Sequence, residues 1–114
     1  MKPPQLAELQ LLHERMCHSI GDPVRLQILY ALYQNPTYVS ALAEQLELPQ
    51  STVSRHLSIL RRAKVVSSER EGRCVVYRLV DERLIDVLEL LRVILHSAHQ
   101  EEGNIYEQIF LDRY

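Results

Sequence analysis

Gln50, Ser51, Thr52, Ser54, Arg55 and Ser58 crowd into one short run of the chain. Ser51, Ser54, Arg55 and Ser58 recur at i, i+3, i+4 and i+7, which is one face of a helix. Val53, Leu57 and Leu60 recur at i, i+4 and i+7 and form the opposite, apolar face. Short hydrogen-bonding groups and an arginine reach base edges and phosphates without steric bulk, so this face suits the major groove of DNA. A Ser-rich face can also be merely solvated, but Ser and Thr are mediocre helix formers and an odd choice for a purely structural helix. His56 stands beside Leu57, where an internal hydrogen bond and a DNA contact are both open.

Other side chains point to different chemistry. His96 and His99 are three apart and share a helix face, as two imidazole ligands of one metal would. His13 and Cys17 are at i and i+4, with His18 next door. A thiolate with two or three imidazoles suits zinc, nickel or cobalt. That set assembles only if the first helix of one copy packs against the last helix of another. The alternative is that the histidines are solvated near a helix end, where they suit the dipole, and that Cys17 is a small core residue. Cys17 and Cys74 are also the candidate pair for thiol redox chemistry. Bridging requires Cα atoms within about 7 Å, which is not expected within one subunit. An enzyme is not indicated: no Ser/His/Asp order, Gly-rich phosphate loop or metal-hydrolase motif is present.

These residues require elements to hold them. A first amphipathic helix is expected over 5–20, with Leu9, Leu12, Met16 and Ile20 on one stripe and Gly21 ending it. Asp22-Pro23 starts a second, running to about Tyr33, because Asp caps orphan amides and Pro at the first helical position gives up no hydrogen bond. Asn35-Pro36 stops it. A short helix over 39–46 places Val39, Leu42, Ala43 and Leu46 on one face, and Pro49 fits the first turn of the next helix. The pair forms a helix-turn-helix over 38–63. Beyond Lys64 the period changes to two. Residues 65–70 and 74–80 read as strands joined by Glu71-Gly72-Arg73, a hairpin wing over 65–80 with Arg70 and Arg73 near its tip. There, Arg70 and Arg73 come within reach of phosphates or a minor groove, although hairpin tips are also charged for solubility.

The last helix is apolar on nearly every side from Leu84 to Leu95. One small domain cannot bury such a helix alone, and the economical partner is a second copy. The tail, with Ile105, Tyr106, Ile109 and Phe110, is expected to continue it after a break near Gly103-Asn104, so that 82–112 forms a C-terminal dimerisation helix or helices.

The chain of 114 residues is expected to form one domain, 1–114. Its apolar fraction of 46% supports a core. Low aromatic content, no Trp and few Gly favour a mainly helical fold. No secretory signal or bilayer-spanning run is evident, so a soluble cytoplasmic protein is expected, with Cys17 and Cys74 reduced. The net charge of −2 is unusual for a nucleic-acid binder, yet its distribution is uneven. Arg55, Arg61, Arg62, Lys64, Arg70, Arg73 and Arg78 face only Glu69 and Glu71 in their segment, whereas acids dominate from Asp81 onward.

Taken together, these stretches resemble the ArsR/SmtB family of winged-helix, metal- and ligand-responsive repressors. The resemblance covers about residues 10–95. It is carried by Gly21-Asp22-Pro23-Val24-Arg25-Leu26-Gln27-Ile28-Leu29, by residues 42–60 with Gln50-Ser51-Thr52-Val53-Ser54-Arg55-His56-Leu57 at their centre, and by Arg70-Glu71-Gly72-Arg73 followed by Val76-Tyr77-Arg78-Leu79. It implies a winged helix-turn-helix of about five helices that dimerises through its first and last helices. It also implies a homodimer on an imperfect double-stranded DNA palindrome, released by an inducer. The family's usual sensing residues are not matched. Tyr38-Val39-Ser40 stands where a Cys-Val-Cys motif would be. Asp81 matches the aspartate of the other metal site, but Arg83, Ile94 and Ser97 replace its histidines. The effector therefore stays open between a metal held by other residues, thiol oxidation and an organic ligand. A rival reading is a winged-helix module whose basic face meets an acidic protein.

Overall fold

Asp22 starts the second helix as its sequence requires. Its Oδ2 accepts from the backbone N–H groups of Val24 and Arg25 at 2.9 and 3.1 Å, and Pro23 occupies the first turn. This is a computed structural model, and it describes residues 1–98. The chain divides into two compact units, Met1–Asp81 and a second that begins at Glu82.

The first unit opens with α1 (Leu6–Leu12), a π-helical turn (His13–Cys17) and α2 (His18–Ile20). Residues at both junctions are right-handed helical, so the three pieces form one helix whose His18 N–H bonds back five residues to the His13 carbonyl. A π turn inserts one residue and rotates every later position about the helix axis, an offset that a count at 3.6 residues per turn does not foresee. Leu9 and Leu12 of the expected stripe are 42% and 49% exposed, whereas Met16 and Ile20 are half-buried. Gly21 is needed where the helix ends, since a Cβ there would meet the Cys17 carbonyl oxygen at 2.8 Å.

α3 (Pro23–Gln34), α4 (Val39–Leu46) and α5 (Gln50–Arg62) pack the core of this unit. Ile28, Leu29, Leu42, Val53, Leu57 and Leu60 are fully enclosed. Each of these large side chains contributes roughly 1.5–3 kcal/mol by being taken out of water. Pro49 stands one residue before the helix whose first turn it is expected to occupy. At that N-cap its carbonyl accepts from the Thr52 and Val53 amides at 3.1 and 3.2 Å.

Both helices of the helix-turn-helix end in the same way. Leu48 N–H bonds to the Ala43 carbonyl and Glu47 N–H to that of Glu44; Val65 and Lys64 repeat the pair with Leu60 and Arg61. These are Schellman closures, with Glu47 (φ 56°) and Lys64 (φ 62°) in the left-handed conformation that glycine usually supplies.

The wing is an antiparallel hairpin of β1 (Val66–Glu71) and β2 (Cys74–Leu79), registered from Val66↔Leu79 to Glu71↔Cys74. Glu71 therefore belongs to β1, and the loop is the two residues Gly72 and Arg73. Gly72 has φ +63°, the requirement of a tight primed turn. Thr37 adds a third, single-residue strand: it exchanges backbone hydrogen bonds with Tyr77 at 2.7 and 3.2 Å. This bridge anchors the wing to the segment that leads into α4.

The second unit contributes α6 (Arg83–Ala98), longer at both ends than the apolar run suggests. Ile85 and Leu88 are buried, whereas Val87, Leu90, Leu91, Val93, Ile94 and Leu95 are exposed. Among the described residues no helix is long and apolar enough to cross a membrane. The expected tail helix, with Ile105, Tyr106, Ile109 and Phe110, lies outside the described residues.

Candidate nucleic-acid interface

α5 divides its side chains by chemistry. Val53, His56, Leu57 and Leu60 are buried. Gln50, Ser51, Ser54, Arg55 and Arg62 are exposed, and Thr52 and Ser58 are half-buried. The polar face expected from the spacing is thus a surface of the folded unit. Arg70 and Arg73 are exposed at the hairpin tip, as are Arg61, Lys64 and Arg78 along the same segment. Two of these bases have partners. Arg61 Nη1 donates to Ser68 Oγ at 3.4 Å, and Arg78 Nη2 pairs with Glu71 Oε1 at 3.1 Å. Both ion-pair members are well exposed, so the pair contributes little.

His56 resolves inward. It completes the stripe 53, 56, 57, 60, the i, i+3, i+4, i+7 pattern of a buried face. That spacing is the signal in the sequence for its position. Its Nδ1 lies 3.1 Å from Arg25 Nη1 and 4.0 Å from Asp22 Oδ2. Arginine has only donors, so Nδ1 must be the acceptor and the proton sits on Nε2. Burial pushes the imidazole pKa down. The Asp22 charge opposes this, and Arg55 and Arg25 reinforce it. His56 is therefore neutral near pH 7, and its approach to Asp22 is not an ion pair. The Asp22 carboxyl is itself held below the usual carboxylate range, chiefly by the Arg25 N–H, against the opposing effect of burial; the Val24 N–H and the Arg25 charge add to the lowering.

The same Arg25 guanidinium reaches the first helix, donating from Nε to the Ser19 carbonyl and from Nη2 to that of His18 at 3.4 Å. Ser19 is buried, and its Oγ bonds to the Arg15 and Met16 carbonyls at 2.8 and 2.9 Å. No spacing pattern in the sequence marks this polar node.

The candidate sensing residues are dispersed. His13 and Cys17 are exposed on the π turn. Cys74 is exposed at the start of β2, and both thiols are free. His96 is exposed on α6, beside a shallow depression lined by Glu89, Arg92, Val93 and Ser97. His99 lies outside the described residues. Among the described residues no group of three or more His, Cys, Asp or Glu gathers that could hold a metal ion.

A helix-turn-helix with a polar outer face, followed by a basic hairpin, defines a winged helix-turn-helix protein of the DNA-binding class. Residues 22–68 match the family described as "Bacterial regulatory protein, arsR family". The HTH-type transcriptional regulator CmtR of Mycobacterium tuberculosis is 43% identical over 71% of this chain and 70% of its own length. The HTH-type transcriptional repressor SmtB of the same organism is 40% identical over 73% of this chain; the chain spans 60% of that repressor. In three dimensions the chain is similar to the homodimeric winged helix-turn-helix DNA-binding domain Mb0332 of Mycobacterium bovis. The TM-score is 0.70 at 27% identity, covering 90% of this chain and 95% of that one. The chain belongs to the ArsR/SmtB family of transcriptional regulators, which are not enzymes.

Proposed function

We propose that the protein is a cytoplasmic, homodimeric repressor that binds a palindromic double-stranded DNA operator and is released by an effector. The exposed polar face of α5, continuous in sequence with a basic wing, carries this reading. Gln50, Ser51, Thr52, Ser54, Arg55 and Ser58 contact bases and nearby backbone in the major groove, and Arg62, Arg70 and Arg73 contact phosphates. The exposed apolar side chains of α6 and of α1 support dimerisation, each face being covered by a second copy. The domain is then a single winged helix-turn-helix over 1–114.

For the effector we propose a metal ion such as zinc or nickel, held by His96 and His99 of one subunit with His13 and Cys17 of the other. This donor set rests on the residue types and their spacing alone. The exposure of Cys17 and Cys74 favours thiol oxidation as a second route to release.

Fluorescence anisotropy with the duplex upstream of the protein's own coding region tests the reading. Tight binding abolished by zinc or nickel, with thiols reduced, supports a metal-released repressor. Binding that ignores metal but yields to oxidant moves the switch to the cysteines. Absence of binding even at low salt overturns the DNA reading in favour of a protein-interaction module.

A further inference from the structure

We infer that Arg25 and His56 are positioning residues that tie the end of the first helix to the back of the DNA-facing helix and thereby set its DNA affinity. The inference rests on the DNA reading of α5. Three of the four buried α5 residues are apolar. The fourth, His56, meets a guanidinium instead. That guanidinium is held in a fixed orientation by two carbonyls at the end of the first helix, those of Ser19 and His18. Asp22 fixes the α3 backbone at Arg25 itself, through the Arg25 N–H. One planar group thus touches both ends of the link, and Arg55, the neighbour of His56 in sequence, lies on the exposed face of the same helix turn.

The link works only while Nδ1 keeps its lone pair. A proton there converts an acceptor facing a cation into a second cation. The charges acting on the ring are Asp22 and Arg25, from the cap and first turn of α3, and Arg55 on α5 itself. Ser19, packed on the same node from α2, does not titrate. Two cations against one carboxylate, at the longer distance of 4.0 Å, leave protonation disruptive.

The experiment measures affinity for the upstream duplex from pH 7.5 to 5.5 on the full-length protein, with a thermal melt of each variant. His56→Asn places an amide oxygen where Nδ1 stands and cannot titrate; His56→Leu removes the acceptor. We expect His56→Asn to bind as wild type at pH 7.5 and to lose less affinity on acidification. The other histidines are the same in both proteins, so the difference between the two profiles belongs to His56. We expect His56→Leu to melt cooperatively yet bind about tenfold more weakly at pH 7.5, the scale of one hydrogen bond to a charged group. Arg25→Lys should weaken binding similarly, and the double variant Arg25→Lys, His56→Leu no further than either alone. Identical pH profiles for wild type and His56→Asn overturn the inference, as does a folded His56→Leu that binds like wild type. If His56→Leu fails to fold, the two pH profiles decide. Loss of binding by the wild type at every pH removes the DNA reading itself, a result distinct from either.

Discussion

Asp22 joins two backbone amides to one carboxylate oxygen, so its removal should be felt locally and at once. Asp22→Ala should cost about 0.5–2 kcal/mol of stability, read from a denaturant or thermal melt. The lowered carboxyl pKa also sets a direction with pH. A group whose folded pKa lies below its unfolded value stabilises above the unfolded range and loses that contribution as pH falls through the folded value. The acid limb of wild-type stability should therefore be flatter in Asp22→Asn, which keeps an acceptor without a titrating charge. His56 has the same sign in a higher window: its stabilisation is complete above the ordinary imidazole range and declines below it. On the proposed DNA-contacting face of α5, Arg55→Ala should reduce operator affinity by about 1–3 kcal/mol and relax sequence preference. Arg73→Ala should weaken all duplexes alike and reduce the slope of log affinity against log salt by about one. Equal salt slopes in the two proteins would remove Arg73 from the phosphate contacts.

The paired Schellman closures make a test at the level of elements. Glu47 holds a left-handed conformation that costs a side-chain-bearing residue about 1–2 kcal/mol, against a glycine entropy penalty of about 0.5–1 kcal/mol. Glu47→Gly should thus raise stability by about 0.5 kcal/mol, whereas Gly72→Ala, at φ +63° in the wing loop, should lower it by about 1 kcal/mol. A melting temperature that falls with Glu47→Gly would contradict the first. Much of this architecture is readable in the sequence. The Val39–Leu46 helix emerges with its observed bounds because its apolar spacing is regular, and Asp22-Pro23 marks the start of α3 chemically. The π turn is not readable, because nothing in His13-Glu14-Arg15-Met16-Cys17 distinguishes five residues per hydrogen-bonded loop from four. Thr37 escapes notice because a single-residue strand has no period. The polar face of α5 is legible as a pattern of hydroxyls at helical spacing; the node behind it is not, because Arg25 and His56 are far apart in sequence and meet only in the folded unit.

At the scale of the molecule, the apolar faces of α1 and α6 leave surface that water disfavours. Leu90, Leu91, Val93 and Ile94 are each more than half exposed, a patch that monomeric proteins seldom tolerate. Leu91→Glu should shift sedimentation from dimer toward monomer and weaken operator binding in parallel, while leaving the helical content of Met1–Asp81 in place. A Leu91→Glu protein that remains dimeric would place the contact elsewhere. The exposed side chains of α6 also carry a consequence for gene control. If two copies must meet before either grips a palindrome, operator occupancy at low abundance rises with the square of the protein's concentration. A modest dilution at cell growth, or a modest burst of synthesis, then crosses a threshold that single-copy binding would smooth away, and the regulator acquires sensitivity to its own dose before any effector arrives.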